Sequence, residues 1–256
     1  MPTPMRSDQV HISGMDARAA RLAKEYHCGY EITAFSYAPM LADAAAFSRV
    51  EAECAGLGSL WLHAPFAELI PCAIDPNVRA NAMVRFRQTA ALAARLGVRR
   101  IVVHGGFIPY VYFPEWYVEQ SVNFWKEFLS DAPDDLLLAV ENVMEPGPEL
   151  LVEIARGVDD PRLGLCLDVG HANTVVSKTP PADWLAPMLP YLRHVHLHDN
   201  HGELDEHLPL GTGTIDFAPI LTVLAAHPEI TITLENQDVL PSLQYLRADG
   251  WLPALL

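Results

Sequence analysis

Imidazole and carboxylate side chains recur directly after short apolar runs in this sequence. Six runs end in this way, at His63, at His104, at Glu141-Asn142, at Asp168 and His171, at His196 to Asn200, and at Glu235-Asn236. Asp205 and His207 follow the fifth of these groups. One such residue is usually a hydrogen-bonded structural side chain, but here six runs end in the residue types that bind divalent metal ions. The repetition therefore predicts a metal site.

Eight short apolar runs alternate with segments of helical spacing, which predicts eight strand–helix units. The predicted strands are Val10–Ser13, Gly29–Thr33, Ser59–His63, Arg99–His104, Leu136–Asn142, Leu163–Asp168, His194–His198 and Thr231–Glu235. The predicted helices are Met15–Tyr26, Leu41–Ala55, Pro76–Leu96, Glu115–Leu129, Pro148–Arg156, Pro180–Tyr191, Phe217–Ala226 and Val239–Asp249. Asp75, Thr179 and Asp216 stand where N-caps are expected, and Gly97 where a C-terminal cap is expected.

Eight units in 256 residues favour a single α/β domain, residues 1–256, folded as one (β/α)8 TIM barrel. A doubly wound open sheet fits less well, because no GxGxxG follows the first strand. In a TIM barrel all strand ends meet at one mouth, so the six polar groups are expected to converge.

His194, His196 and His198 alternate along one predicted strand and so point to the same face. The outer two lie about 13 Å apart on an extended strand, so the three cannot share one ion. We expect His196 to be the ligand, His198 to orient a ligand or contact substrate, and His194 to be buried deeper. Three further histidines are expected to be structural: His11, His27 and His227.

The composition is that of a packed globular protein. The formal net charge is −15, and the sequence contains only three lysines. We do not expect nucleic acid as a partner on this basis, because phosphate backbones are held mainly by Lys and Arg. We expect no membrane span and no signal peptide. Four cysteines without CxxC spacing, Cys28, Cys54, Cys72 and Cys166, are expected to be reduced core residues of a cytoplasmic protein.

Five short motifs in this order resemble the xylose-isomerase-like TIM-barrel superfamily. They are Glu141-Asn, Leu167-Asp168-Val-Gly-His171-Ala, His196-Leu-His-Asp199, Gly211-Thr-Gly-Thr-Ile-Asp216 and Glu235-Asn. The superfamily holds sugar isomerases and epimerases together with phosphodiesterases of the endonuclease IV type. The resemblance to the isomerases and epimerases implies four ligands of one Mn²⁺ or Zn²⁺ ion: Glu141, Asp168, His196 and Glu235. It also implies that Glu141 and Glu235 transfer protons on either side of a sugar-like substrate.

The resemblance to the phosphodiesterases implies up to three zinc ions. Their ligands would be the same four residues together with His63, His104, His171, Asp205 and His207. One divalent ion with three carboxylates gives the centre a net charge of about −1, which suits a neutral polyol. Three divalent ions with four carboxylates give it a net charge of about +2, which suits a phosphate. We therefore predict a metal-dependent isomerase or epimerase, with a di- or trinuclear zinc hydrolase of a phosphodiester or amide as the alternative.

Three side chains are further candidates for substrate contact: His171, His198 and Trp116. Trp116 belongs to an aromatic segment, residues 107–117, that either covers the barrel mouth or packs under the following helix. The sequence favours neither of these two roles. A homo-oligomer is also possible, although no surface patch in the sequence indicates one.

Overall fold

Eight parallel strands close into a barrel in the computed structural model, which describes residues 4–253. The strands are β1 (Val10–Ser13), β2 (Gly29–Ile32), β3 (Leu60–His63), β4 (Arg100–His104), β5 (Leu137–Glu141), β6 (Leu163–Asp168), β7 (Leu192–Leu197) and β8 (Thr231–Leu234). Each strand pairs with the next along the chain, and β8 pairs with β1. The predicted (β/α)8 barrel is therefore confirmed, and its eight described strands leave no edge unpaired.

Eight α-helices within residues 4–253 surround the barrel. They are α1 (Ala19–Tyr26), α2 (Ala44–Cys54), α3 (Pro76–Arg95), α4 (Pro114–Asp131), α5 (Glu149–Val158), α6 (Leu185–Met188), α7 (Phe217–Ala226) and α8 (Leu240–Ala248). Asp75 and Asp216 cap α3 and α7 by accepting backbone N–H groups, as predicted. Gly97 follows α3 with φ +73°, a conformation that glycine adopts without strain.

The predicted helix Pro180–Tyr191 is wrong as a single element. Residues Pro181–Trp184 form a 3-10 turn, and only Leu185–Met188 are α-helical. Pro187 and Pro190 each lack a backbone N–H, so an α-helix cannot continue through this segment without losing hydrogen bonds. Thr179 consequently caps no helix; its hydroxyl lies 3.4 Å from the carbonyl oxygen of Pro146.

The side chains inside the barrel divide into an apolar layer and a polar layer. Trp61, Val102, Ala139 and Cys166 form a small apolar cluster in the interior, and a larger cluster fills the space between the strands and the helices. Above the small cluster, the interior side chains become imidazoles and carboxylates. All four cysteines are buried and free, as expected. Among the described residues, no helix is long and apolar enough to cross a membrane.

Candidate metal centre

The C-terminal mouth of the barrel opens into a cavity of about 590 Å³ whose floor is rich in imidazoles and carboxylates. Most of the predicted ligands line it directly: His63, His104, Glu141, His171, Asp205, His207 and Glu235. Asp168 and His196 are fully buried beneath them and contact them. The structure thus brings all nine residues of the larger predicted ligand set together.

Glu141, at the end of β5, is the most connected carboxylate of this group. Its Oε2 lies 3.3 Å from Nε2 of His63 and 3.2 Å from Nε2 of His104. Its Oε1 lies 3.2 Å from Nδ1 of His196. Burial alone would raise the pKa of Glu141, but the imidazoles of His196 and His104 outweigh it and hold the pKa well below its usual value. Glu141 is therefore an ionised carboxylate whose two oxygens face different imidazoles.

Asp168, at the end of β6, is held by its neighbours on both sides. The Asn142 side chain donates to the Asp168 carbonyl oxygen at 2.9 Å and accepts from the Asp168 backbone N–H at 2.7 Å. One carboxylate oxygen accepts from the backbone N–H of His171 at 2.6 Å and lies 3.1 Å from Nε2 of His198. His198 therefore contacts a candidate ligand, which fits the predicted orienting role, and it does not line the cavity.

Asp205 and His207 reach the centre from the loop after β7. Asp205 Oδ2 lies 3.0 Å from Nε2 of His207 and 3.3 Å from Nε2 of His171. The His207 ring stacks on His198 with ring centroids 4.0 Å apart. Through these contacts, the loop after β7 is joined to the candidate ligands at the end of β6. The loop and that strand lie far apart in the sequence.

Three imidazoles are oriented by backbone carbonyl groups. The Nδ1 atoms of His63, His171 and His207 lie 2.9, 2.8 and 3.0 Å from the carbonyl oxygens of Ala64, Asn142 and Glu235. When Nδ1–H donates to a carbonyl, Nε2 keeps its lone pair and can bind a cation. In all three rings Nε2 then faces a carboxylate of the centre.

Glu235 differs from the other carboxylates in its proton affinity. Burial raises the pKa of Glu235 above its usual value, although the nearby His196 acts in the opposite direction. Its Oε2 lies 3.5 Å from Nδ1 of His196, and its side chain lines the cavity. In the metal-free chain, Glu235 is therefore the carboxylate of the cavity lining that takes up a proton most readily, since the pKa values of Glu141 and Asp205 are lowered.

The donor set fits divalent metal ions. Among the described residues, the carboxylates of the centre form ion pairs only with imidazoles and none with Lys or Arg. Because buried negative charges need compensation, either protons on the imidazoles or bound cations must supply it. Histidine nitrogen with carboxylate oxygen is a donor set that suits Zn²⁺, and carboxylate oxygen also suits Mn²⁺.

Two buried carboxylates of this region, Glu31 and Asp199, were given no role by the sequence, although Asp199 belongs to one of the five motifs. Glu31, in the middle of β2, is fully buried and contacts His194 and His196. A carboxylate inside a predicted strand was its only signal, because Glu31 does not stand at a strand end as the other candidates do. Asp199 is also fully buried, and its carboxylate accepts backbone N–H groups of the loop after β7. With Glu31 counted as a fifth carboxylate, three divalent ions would give the centre a net charge of about +1 instead of +2.

The structure separates the remaining candidates. His194 is buried below His196, as expected. The other three histidines lie outside the metal centre: His11 is buried against Ser59, His27 follows α1, and His227 pairs with Glu229. Trp116 does not line the cavity; its indole N–H donates to the carbonyl oxygen of Cys72 at 2.8 Å. This geometry gives no support to the predicted substrate contact, because the indole N–H is used to fix α4 to the loop after β3.

The aromatic segment, residues 107–117, contains both buried and exposed side chains, and none of them lines the cavity of about 590 Å³. Phe107 and Tyr117, a residue of α4, are buried against each other, which agrees with the predicted packing against this helix. Tyr110 and Phe113 are largely exposed on the same segment.

Metal binding is expected to release protons and to strengthen as pH rises from 7 to 9. Burial lowers the pKa of His207, but Asp205 and Glu235 outweigh it and raise the pKa to about 9. The metal-free chain is therefore stabilised by this proton below about pH 6.5, and the contribution is lost as pH rises through 9. A metal ion must displace the proton. Calorimetric titration with ZnCl₂ in two buffers of different ionisation enthalpy checks this, and buffer-independent heats would contradict it.

Gly170→Ala is expected to destabilise the chain by about 1–3 kcal/mol, the usual cost of overpacking. A Cβ at Gly170 would overlap the imidazole of His198, which contacts Asp168. Gly58→Ala is the matched control, because a Cβ there meets nothing within 4 Å. Thermal unfolding of both variants checks the difference. Equal melting temperatures would mean that His198 moves aside freely.

The comparisons with known proteins agree with this architecture. Residues 21–251 match the family model described as a xylose isomerase-like TIM barrel. An uncharacterized protein of Methanocaldococcus jannaschii is 31% identical over 191 residues, 70% of this chain and 64% of that protein. The match thus spans slightly less than two thirds of that relative. A probable endonuclease 4 of Mycobacterium bovis is 26% identical over 178 residues, 65% of this chain and 68% of that protein.

Two solved structures are similar over nearly the whole chain. A D-tagatose 3-epimerase-like protein superimposes with a TM-score of 0.78 at 24% identity, covering 93% of this chain and 94% of that one. A Thermus thermophilus protein soaked with ZnCl₂ superimposes with a TM-score of 0.76 at 29% identity, covering 94% and 97%. The match of residues 21–251 to the family model, together with the closed barrel, shows that the chain belongs to the xylose isomerase-like TIM-barrel family.

Proposed function

We propose that this chain is a divalent-metal-dependent isomerase or epimerase of a small, uncharged, polyhydroxylated substrate. The metal would be held by Glu141, Asp168, His196 and Glu235. The proposal rests on the family, on the convergent donor set, and on the lining of the cavity above it. Similarity to an epimerase-like protein agrees with it but at 24% identity concerns the fold alone.

The lining of the cavity is the observation that carries the choice of substrate. The described residues around it include no Lys or Arg, which are the side chains that hold phosphate groups. Its upper wall is formed by Met15, Tyr37, Phe66, Val143 and Met144, with hydroxyl groups from Thr33 and Ser36. Apolar walls with a few polar groups suit a small uncharged ligand whose oxygens face the floor.

The catalytic roles follow from the environments of the two glutamates. A bound divalent ion would polarise a carbonyl and its neighbouring hydroxyl, so that a proton on carbon is lost more readily. Glu235, from its place on the cavity wall, takes up that proton. Return of the proton by Glu235 to the neighbouring carbon completes an isomerisation, whereas an epimerisation needs a second group that delivers a proton to the opposite face. Glu141 is the second candidate for proton transfer, although its engaged oxygens and lowered pKa suit a ligand better.

Hydrolysis at a centre of two or three ions is the second candidate function. It is favoured by the five additional ligand candidates around the primary set and by Glu141, whose two oxygens could bridge two ions. The similarity to a probable endonuclease 4 makes a phosphodiester in DNA one possible substrate of this kind. Against that substrate stand the net charge of −15 and the lack of Lys and Arg among the described residues of the cavity lining.

Metal content and isotope exchange together test the proposal. Elemental analysis of protein purified without chelator should give about one divalent ion per chain. Incubation in D₂O with a panel of free ketohexoses and aldoses should give deuterium at a substrate carbon. Two or three zinc equivalents, without exchange on any sugar, would favour hydrolysis. Cleavage of a duplex containing an abasic site at physiological salt would overturn the preference against DNA.

A further inference from the structure

A fully buried carboxylate lies inside the barrel beneath the candidate metal centre. Glu31 extends from β2 towards β7 and β8, and the side chains of those two strands surround it. His194 Nε2 lies 3.0 Å from its Oε2, and the hydroxyl of Thr233 donates to the same oxygen at 2.5 Å. The Glu31 carboxylate is therefore held in one orientation by partners from two strands.

His196 faces this carboxylate with one ring nitrogen and the metal centre with the other. Nε2 of His196 is hydrogen-bonded to Oε2 of Glu31 at 3.2 Å and lies 3.1 Å from Oε1. Nδ1 lies 3.2 Å from Oε1 of Glu141, 3.5 Å from Glu235 and 3.7 Å from Asp168. The three remaining residues of the primary set thus all lie on the Nδ1 side of the ring.

A neutral imidazole carries its proton on one nitrogen and can bind a metal only through the other. The rings of His63, His171 and His207 meet this requirement through backbone carbonyls. His196 has a carboxylate in the same role, and an ionised acceptor holds an N–H more strongly than a neutral one does. A carboxylate behind a metal-binding imidazole also makes the ring a better electron donor to the ion.

We propose that Glu31 is a positioning residue for the metal centre. It holds His196 with the proton on Nε2 and so leaves Nδ1 free to bind the ion shared with Glu141, Asp168 and Glu235. His194 and Thr233 orient Glu31 for this task. The inference rests on the proposed function, because it requires that His196 is a metal ligand.

Zinc affinity of Glu31→Gln tests the inference, with ZnCl₂ as the probe and a chromophoric chelator as competitor. The amide is nearly isosteric but uncharged, so the number of bound ions should stay constant while one ion binds roughly 10–100-fold more weakly. Glu145→Gln is the matched control: Glu145 is also buried, and it accepts from the Tyr117 hydroxyl at 2.7 Å and not from an imidazole. The zinc affinity of this control should stay within about twofold of that of the parent protein. This change is much smaller than the roughly 10–100-fold loss expected when a residue that orients a ligand is altered.

A spectroscopic measurement on the unaltered protein keeps the test independent of how the variants fold. Long-range ¹H–¹⁵N spectra of the zinc-loaded, histidine-labelled chain should show His196 protonated at Nε2. Protonation at Nδ1 would overturn the inference.

The outcomes separate this inference from the proposed function. Failure of the parent protein to bind zinc or manganese would remove both. Unchanged affinity of Glu31→Gln, with normal binding by the parent protein, would overturn the role of Glu31 alone. Failure of Glu31→Gln to bind this ion even at saturating zinc would make Glu31 a ligand and would also overturn the positioning role.

Discussion

Glu235→Gln is expected to lower the rate of proton exchange at a substrate carbon by roughly 10²–10⁴-fold, the usual contribution of a general acid–base group. The amide keeps the size of the side chain but cannot take up a proton. Its carbonyl oxygen can still face the metal, so the loss should persist at saturating metal. Deuterium incorporation from D₂O into the most reactive sugar of the panel measures the effect.

Two controls make this result specific. Glu203→Gln removes an exposed carboxylate from the loop after β7 and should leave exchange unchanged. Elemental analysis of Glu235→Gln shows whether metal remains bound. Exchange that continues at the parent rate in a metal-loaded Glu235→Gln protein would show that the acid–base assignment is wrong.

Asp199→Ala is expected to destabilise the protein by about 3–5 kcal/mol, because several backbone N–H groups lose their acceptor and each buried donor left unpaired costs about 1–3 kcal/mol. The carboxylate is fully buried and accepts backbone N–H groups from Asn200 at 2.9 Å, Gly213 at 2.8 Å and Ile215 at 3.2 Å. Alanine would leave these donors buried without an acceptor. For a chain of this size the melting temperature should fall by roughly 6–20 °C.

The same substitution is expected to weaken metal binding, because the loop organised by Asp199 carries Asp205 and His207. Asp199 also forms a two-way backbone bridge with Leu208, next to His207. Asp134→Ala is the control, because Asp134 is fully exposed and its nearest cation, Arg162, lies 3.9 Å away. A melting temperature of Asp199→Ala within about 2 °C of that of Asp134→Ala would correspond to less than about 1 kcal/mol for a chain of this size. That result would show that the Asp199 carboxylate does not hold the loop.

The fold was predictable from the sequence because strand burial and helix ends leave local signals. Runs such as Ile101-Val-Val are apolar on both faces, as parallel strands covered by helices must be. The failure at Pro180–Tyr191 has an equally local cause, since Pro187 and Pro190 remove backbone donors. The closure of eight strand–helix units into a barrel follows from their number and length.

The convergence of the candidate ligands was also predictable, because every strand of a parallel barrel ends at the same mouth. His104, Glu141 and Asp168 could be assigned to one place without any knowledge of distances. The roles within the set could not be assigned in this way. Which oxygen of Glu141 meets which imidazole, and why the pKa of Glu235 rises while that of Glu141 falls, depend on packing between residues far apart in the chain.

The sequence by itself therefore determined the barrel and the kinds of side chain at its mouth, because both follow from local patterns of polarity. Only the tertiary structure decided that Glu31 stands behind His196, that Asp199 holds the loop of Asp205, and that Trp116 is turned away from the cavity. The physical reason is that these three contacts join different strands, helices or distant parts of a loop. A hydrogen bond between such segments has no periodic signal along the chain, since it exists only when the barrel has closed.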